Sequence, residues 1–260
     1  MNGSMLSWFG IVRLGLIQTG LGAIVVLTTS TLNRVMVIEL AMPAILPGAL
    51  VAIHYVLQVF RPAWGHGSDL GARRTPWIVG GMAVLATGGL MASIATAWMT
   101  TQPLFGIALA VVAFCLIGAG VGAAGTSLLV LLAKRTDDNR RAAAATIVWV
   151  MMIAGFIVTT VVAGHWLDPF SPMRLIIVSG SVSVAAMVLT IIGVWGVEGG
   201  SVARAQLVSR SSTRQPSFRD AFMEVWHEPK SRRFAIFVFV SMLAYSAQDL
   251  ILEPFAGAVF

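Results

Sequence analysis

The sequence predicts an all-α membrane protein whose helices cross the bilayer repeatedly, and three observations lead there. Of 260 residues, 57% are hydrophobic and only 11% charged, with a mean hydropathy of +0.87; soluble domains carry about 25% charged residues. The apolar residues fall into seven runs, each long enough to span ~30 Å of hydrocarbon as a helix of about 20 residues. Lys and Arg gather in alternate connections between those runs. Helix is the open-chain conformation such runs must take, because lipid offers no partner to a bare backbone amide.

The runs are read at 13–35, 44–61, 76–99, 103–133, 142–164, 173–197 and 233–260. The fourth exceeds what a bilayer needs, so it tilts or protrudes. Fifteen of the seventeen Lys and Arg residues fall on one side, leaving only Arg34 and Arg174 on the other. The positive-inside rule then puts the N-terminus in the cytoplasm of a multi-pass inner-membrane protein. The charge of +6 and pI near 10.7 are thereby explained by topology, and no nucleic-acid partner is expected. Cys115 is the only cysteine, which excludes an intrachain disulfide and a thiolate cluster. The first run is too long for a signal-peptide core and lacks a small-residue cleavage site.

The organisation expected is a six-helix bundle over 1–197, a cytoplasmic connection over 198–232, and the first helix of an incomplete second bundle over 233–260. Phe218, Phe222, Val225 and Trp226 recur at helical spacing in that connection, so an amphipathic helix is expected there, either a linker or a segment lying on the membrane. The chain stops inside an apolar run at Phe260, which suggests a longer natural protein.

Four places carry candidate functional residues. The first run ends Thr28-Thr29-Ser30-Thr31-Leu32-Asn33-Arg34, and Asn33 and Arg34 are expensive at that depth unless they face protein or a wet cavity. His54 stands one turn before Gln58; it could ligate the magnesium of a chlorin or make a hydrogen bond between helices. The connection Gly65-His66-Gly67-Ser68-Asp69-Leu70-Gly71-Ala72-Arg73-Arg74 is read as a glycine-broken loop whose charges pin neighbouring helix ends. Asp249 and Glu253, four apart, share one face of the last run. They could form a proton or ligand site, or bond structurally to Asn33 or Arg34. In the fourth run, Gly118, Gly120, Gly122 and Gly125 suit close helix packing.

The Gly65–Arg74 connection resembles the loop between the second and third helices of the major facilitator superfamily. That resemblance implies a major-facilitator-type helical bundle in which Gly65, Asp69, Gly71, Arg73 and Arg74 form a gate motif, with Asp69, Arg73 and Arg74 as its charge relay. The arginine of proton-coupled members is missing before the fourth-run glycines, where Phe114-Cys115-Leu116-Ile117 stand, and Ala154-Gly155-Phe156 replaces the Gly-Pro pair of drug antiporters. The run from Thr28 to Leu40, the segment from Arg61-Pro62 to Pro76-Trp77, and Gln248-Asp249-Leu250-Ile251-Leu252-Glu253-Pro254-Phe255 together resemble the PucC family, closest to its branch once called bacteriochlorophyll synthase subunit. The resemblance runs from Val12 to Phe260. It implies a membrane factor for assembling light-harvesting complexes, with antenna polypeptides or the reaction-centre complex as partners and bacteriochlorophyll as bound cargo; no cofactor is required. The alternative is an alternating-access transporter of a small hydrophobic solute, with proton coupling as one option. No catalytic constellation is legible, so no enzyme activity is expected.

Overall fold

A computed structural model describes residues 5–70, 73–198, 218–241 and 244. The described residues are helical, with no strand among them, and divide into two compact units, Met1–Ser209 and Arg210–Phe260. In the first unit six helices are long and apolar enough to cross a membrane: α1 (Trp8–Glu39), α2 (Ile45–Asp69), α3 (Thr75–Trp98), α4 (Pro103–Arg135), α5 (Asp138–Trp166) and α6 (Pro172–Val194). In the second unit α7 (Phe218–His227) carries Phe218, Phe222 and Trp226 as a ladder of rings with centroids 6.1 Å apart. Helical backbone resumes at 229 and runs to 241. The seventh expected span lies mostly outside the described residues, as do Gly71, Asp249 and Glu253.

The helices start and stop where local chemistry dictates. Pro76, Pro103 and Pro172 occupy the first turns of α3, α4 and α6, where a missing amide proton is harmless. The Ser7 hydroxyl accepts from the Gly10 amide at 3.2 Å to cap α1. At 33 residues, α4 is roughly 50 Å long at 1.5 Å per residue, more than the hydrocarbon requires.

Packing runs in a chain of neighbours. α3 lies most extensively against α4; α1 packs on α5 and α6; α6 packs on α3; α2 rests on α4. α1, α3 and α4 therefore form the interior, and α2 and α5 present apolar faces outward, with Val56, Val59, Ile157 and Val161 all exposed. Lipid tails are as apolar as leucine, so close backbone approach has to hold such helices together. A Cβ built on Gly120 would lie 2.5 Å from the Leu85 amide nitrogen, and one on Gly118 would lie 2.7 Å from the His54 carbonyl oxygen. At Gly122 the side chain of Trp64 fills the space a Cβ would take. Gly125 is different, with only an ordinary contact at 3.5 Å to Leu21.

The stretch read as a loop from Gly65 is helical to Leu70. Its glycines serve contact rather than turning: a Cβ on Gly67 would meet the Trp77 ring at 3.0 Å, and one on Gly65 would meet Thr126 at 3.3 Å. The Ser68 hydroxyl donates to the Gly65 carbonyl at 2.8 Å within the helix. Asp69 consequently sits on the last turn of α2.

These distances make an expected outcome. Gly120→Val should destabilise the protein by about 1–3 kcal/mol or more through overpacking, whereas Gly80→Ala, with nothing within 4 Å of its added carbon, should stabilise it by roughly 0.5–1 kcal/mol. Thermal melts in detergent followed by circular dichroism check both; equal melting temperatures would contradict this packing.

Candidate functional site

Two regions of the six-helix unit gather polar side chains, one at each end. At the end carrying most of the basic residues, Asp69 is the hub. It pairs with Arg74, and its Oδ1 accepts from Lys134 Nζ at 2.9 Å, so the last turn of α2 is tied to the start of α3 and the end of α4. Arg74 is buried and Lys134 exposed; the less solvated pair is the less screened. Arg73 is exposed and makes no ion pair among the described residues, so the expected three-residue relay is a pairing of Asp69 with Arg74 and Lys134.

Glu198 completes this end. Its carboxylate accepts from the amides of Arg74 (2.9 and 3.0 Å) and Thr75 (2.8 Å) and from the Thr75 hydroxyl (2.9 Å). It thereby caps α3 from beyond the end of α6, placing negative charge where the helix dipole is positive. Arg135 donates to the Val197 carbonyl at 3.1 Å, Arg13 donates to the carbonyls of Ile192 (2.8 Å) and Trp195, and the Leu6 amide donates to Arg135 at 2.8 Å. These contacts join the terminal turns of α1, α2, α3, α4 and α6. On the α5 side, Arg141 pairs with Asp138 at 2.8 Å and donates to the Ala133 carbonyl at 3.1 Å.

At the opposite end, α1 is widened into two π-helical turns, Leu27–Thr31 and Val35–Glu39. Hydroxyls support the distortion: Thr28 donates to the carbonyls of Ile24 (2.9 Å) and Val25 (3.0 Å), and Thr29 to Val25 (2.8 Å). π-turns inside α-helices are frequent at functional sites. Here they border a cavity of about 410 Å³ lined by Ser30, Thr31, Arg34, Glu39, Thr160 and Asp168, with Val35, Gly164, Leu167 and Phe170 supplying its apolar wall. Arg34 thus faces a polar cavity; the half-buried Asn33 is not among its lining residues.

His54 is buried, with its Nε2 2.9 Å from the Gln58 amide nitrogen and its backbone against Gly118. The hydrogen bond stays within α2 instead of crossing between helices, and burial closes the ring to a large macrocycle in this conformation. Its Nδ1 has no partner among the described residues.

A third feature carries no charge. Between α2, α3 and α4 lies an apolar groove of about 350 Å³, walled by Trp64, Pro76, Trp77 and Val84 over Gly80, Gly81, Ala119, Gly120 and Ala123. Two indoles over a floor of small residues make a smooth slot for hydrocarbon or a flat ring.

The family described as PUCC protein matches residues 31–260. The chain belongs to the PucC family. It is 52% identical over 255 residues to the bacteriochlorophyll synthase 44.5 kDa chain of Rhodobacter capsulatus, covering 98% of this chain and 58% of that one. It is 31% identical to Protein PucC of Rhodovulum sulfidophilum (96% and 57% covered) and 30% identical to Protein PucC of Rhodobacter capsulatus (95% and 56% covered). The chain therefore spans less than three fifths of these relatives.

Sequence reasoning missed Glu198, Glu39 and Asp168, and it read Lys134, Trp64 and Trp77 without a role. Glu198 had one local signal, an isolated acid directly after an apolar run. Its partners lie 123 and 124 residues away, beyond the reach of any spacing rule.

The network ranks its members. Glu198→Gln should lower stability by about 1–2 kcal/mol, as the loss of a charged helix cap does, whereas Lys134→Ala should cost less than about 1 kcal/mol because its ammonium is exposed. Melting temperatures of the two variants in one detergent decide it, and a larger loss for Lys134→Ala would refute the ranking.

Proposed function

We propose that this PucC-family chain is part of a membrane-embedded, non-enzymatic assembly factor for photosynthetic light-harvesting complexes that handles bacteriochlorophyll on its way to antenna polypeptides. In this reading the described bundle is one half of a major-facilitator-type pair, sits in the inner or intracytoplasmic membrane, and keeps its basic end in the cytoplasm. The observation that carries the reading is the groove between Trp64 and Trp77. It is apolar, lies on the flank of the bundle and is floored by small residues, so it suits the hydrocarbon tail or one edge of a large planar pigment arriving from within the bilayer. The relatives' names support the same chemistry, since one is called a bacteriochlorophyll synthase chain. An enzymatic role for this chain draws no support from the groove, which contains no acid, base or nucleophile.

Gly80 makes the reading testable. It lines the groove and has nothing within 4 Å of its would-be side chain, so Gly80→Leu fills the groove without disturbing a packed interface. Protein purified gently from a phototrophic host should carry a chlorin absorption band, and Gly80→Leu should lose at least 80% of it at unchanged or higher melting temperature, by order-of-magnitude expectation for a blocked pocket. An undiminished band in the variant, or none in the wild type, would defeat the proposal.

The orientation is tested separately. In a Cys115→Ser background, Arg73→Cys and Asp137→Cys should both be shielded from an impermeant thiol reagent in intact cells, and Thr101→Cys should react. Labelling of Arg73→Cys but not Asp137→Cys would overturn the topology, because those positions would then face opposite sides.

A further inference from the structure

The cavity beside the π-turns of α1 has an unusual property. The charges that line it are not engaged with one another. Arg34, Glu39 and Asp168 make no ion pair among the described residues, and the hydroxyls of Ser30, Thr31 and Thr160 make no hydrogen bond there. Arg34, Glu39 and Asp168 are all exposed, so they stay solvated and are accessible to a charged guest. At about 410 Å³ the space falls within the range of small-molecule sites, and its wall is part polar and part apolar.

The backbone explains how the charges come together. In a regular α-helix, positions 34 and 39 stand about 140° apart at ~100° per residue, on different faces. The Val35–Glu39 stretch follows the i→i+5 pattern instead, with the Leu40 amide bonded to the Val35 carbonyl at 3.1 Å. That pattern brings Arg34 and Glu39 one turn apart, and both line the same cavity. Asp168 enters from the residues just after α5. One guanidinium therefore faces the space along with two carboxylates. A simple anion would be repelled by the carboxylates, and a simple cation would leave the guanidinium unmatched.

We propose that this cavity binds a dipolar head bearing one anionic and one ammonium group, as in phosphoethanolamine. Arg34 takes the anionic end through its planar fork of donors, Glu39 and Asp168 receive the ammonium, and Ser30, Thr31 and Thr160 supply further hydrogen bonds. The head can belong to a zwitterionic lipid or to a free solute; its chemistry is shared. This site is separate from the groove of Trp64 and Trp77 and does not depend on the pigment reading.

The test uses the purified protein in nanodiscs of phosphatidylglycerol, titrated calorimetrically with phosphoethanolamine, inorganic phosphate and ethanolamine. A second arm uses discs containing phosphatidylethanolamine, with retained lipid read by native mass spectrometry. Phosphoethanolamine should bind saturably and at least tenfold more tightly than either half, by an order-of-magnitude expectation for two charge-assisted contacts. Arg34→Gln and Glu39→Gln should each weaken it at least about tenfold on the same reasoning. Gly164 lines the cavity and has nothing within 4 Å of its would-be Cβ, so Gly164→Leu should abolish binding without lowering the melting temperature; it tests the site even where a charge variant fails to fold. Retention of the lipid without binding of the free head supports a lipid source, and the converse supports a solute. Absence of both, equal binding of the half-ligands, or unchanged binding in Gly164→Leu would overturn the assignment.

Discussion

Close approach between helix backbones is the constraint on which this bundle rests. Water drives apolar helices together in a soluble protein, but in lipid that force is absent and packing has to supply the attraction. The α3–α4 interface shows how this is met. A Cβ on Gly81 would come 2.5 Å from the Ala124 amide nitrogen, and a Cβ on Gly120 would come 2.5 Å from that of Leu85, so each helix gives up a side chain where the other's backbone passes. The same device sets α5 on α1, where a Cβ on Gly155 would meet the Thr19 carbonyl at 2.7 Å. Dispersion between atoms at contact is individually small and only adds up when no gap is left.

Polar chemistry is then confined to the ends of the bundle, and the two ends use it differently. At the basic end most of the named charges, Arg73 excepted, have partners: Asp69 with Arg74 and Lys134, Glu198 with the open amides of α3, Arg13 and Arg135 with the last carbonyls around α6. These contacts satisfy helix-terminal groups that would otherwise be bare, and they fix α2, α3, α4 and α6 relative to one another. At the far end the charges of α1 and the α5 terminus face a cavity instead. One end is fastened and the other is open, an asymmetry built from residue types that look alike in composition.

Much of the fold could be read from the chain, and the reasons differ by element. The third and fourth spans, expected at 76–99 and 103–133, are observed at Thr75–Trp98 and Pro103–Arg135, because proline and charge mark their limits. The first was read short, at 13–35 against Trp8–Glu39. Its ends hold Arg13 and Glu39, which look like stops until one end is bound to α6 carbonyls and the other faces a cavity. Gly65 and Gly67 were read as a turn because glycine has two uses, backbone freedom and close approach, and only the neighbouring Trp77 and Thr126 tell which applies. Arg34 was legible as a site residue because charge at depth demands explanation. Glu39 and Asp168 were not, since their meeting with Arg34 depends on a π-turn and on the packing of α5, neither of which has a spacing signature.

The glycines that are not needed for packing carry the last step. A glycine inside a helix costs about 1 kcal/mol relative to alanine, and at Gly81, Gly120 and Gly155 the neighbouring backbone explains why that cost is borne. Gly80 and Gly164 have no such neighbour within 4 Å. Gly48 is alike in this, but it stands in the first turn of α2 directly after Pro47, where helix propensity weighs little. Gly80 lies inside α3, whereas Gly164 stands in the last turn of α5; each borders a concavity, the indole-walled groove in one case and the charged cavity in the other. An alanine at Gly80 would strengthen its helix, and an alanine at either place would narrow the adjoining space. Helix stability therefore cannot be the reason for glycine at position 80, and open volume can. The two concavities differ in lining: one is apolar between α2, α3 and α4, the other is lined between α1 and the end of α5 with charges that make no ion pair among the described residues.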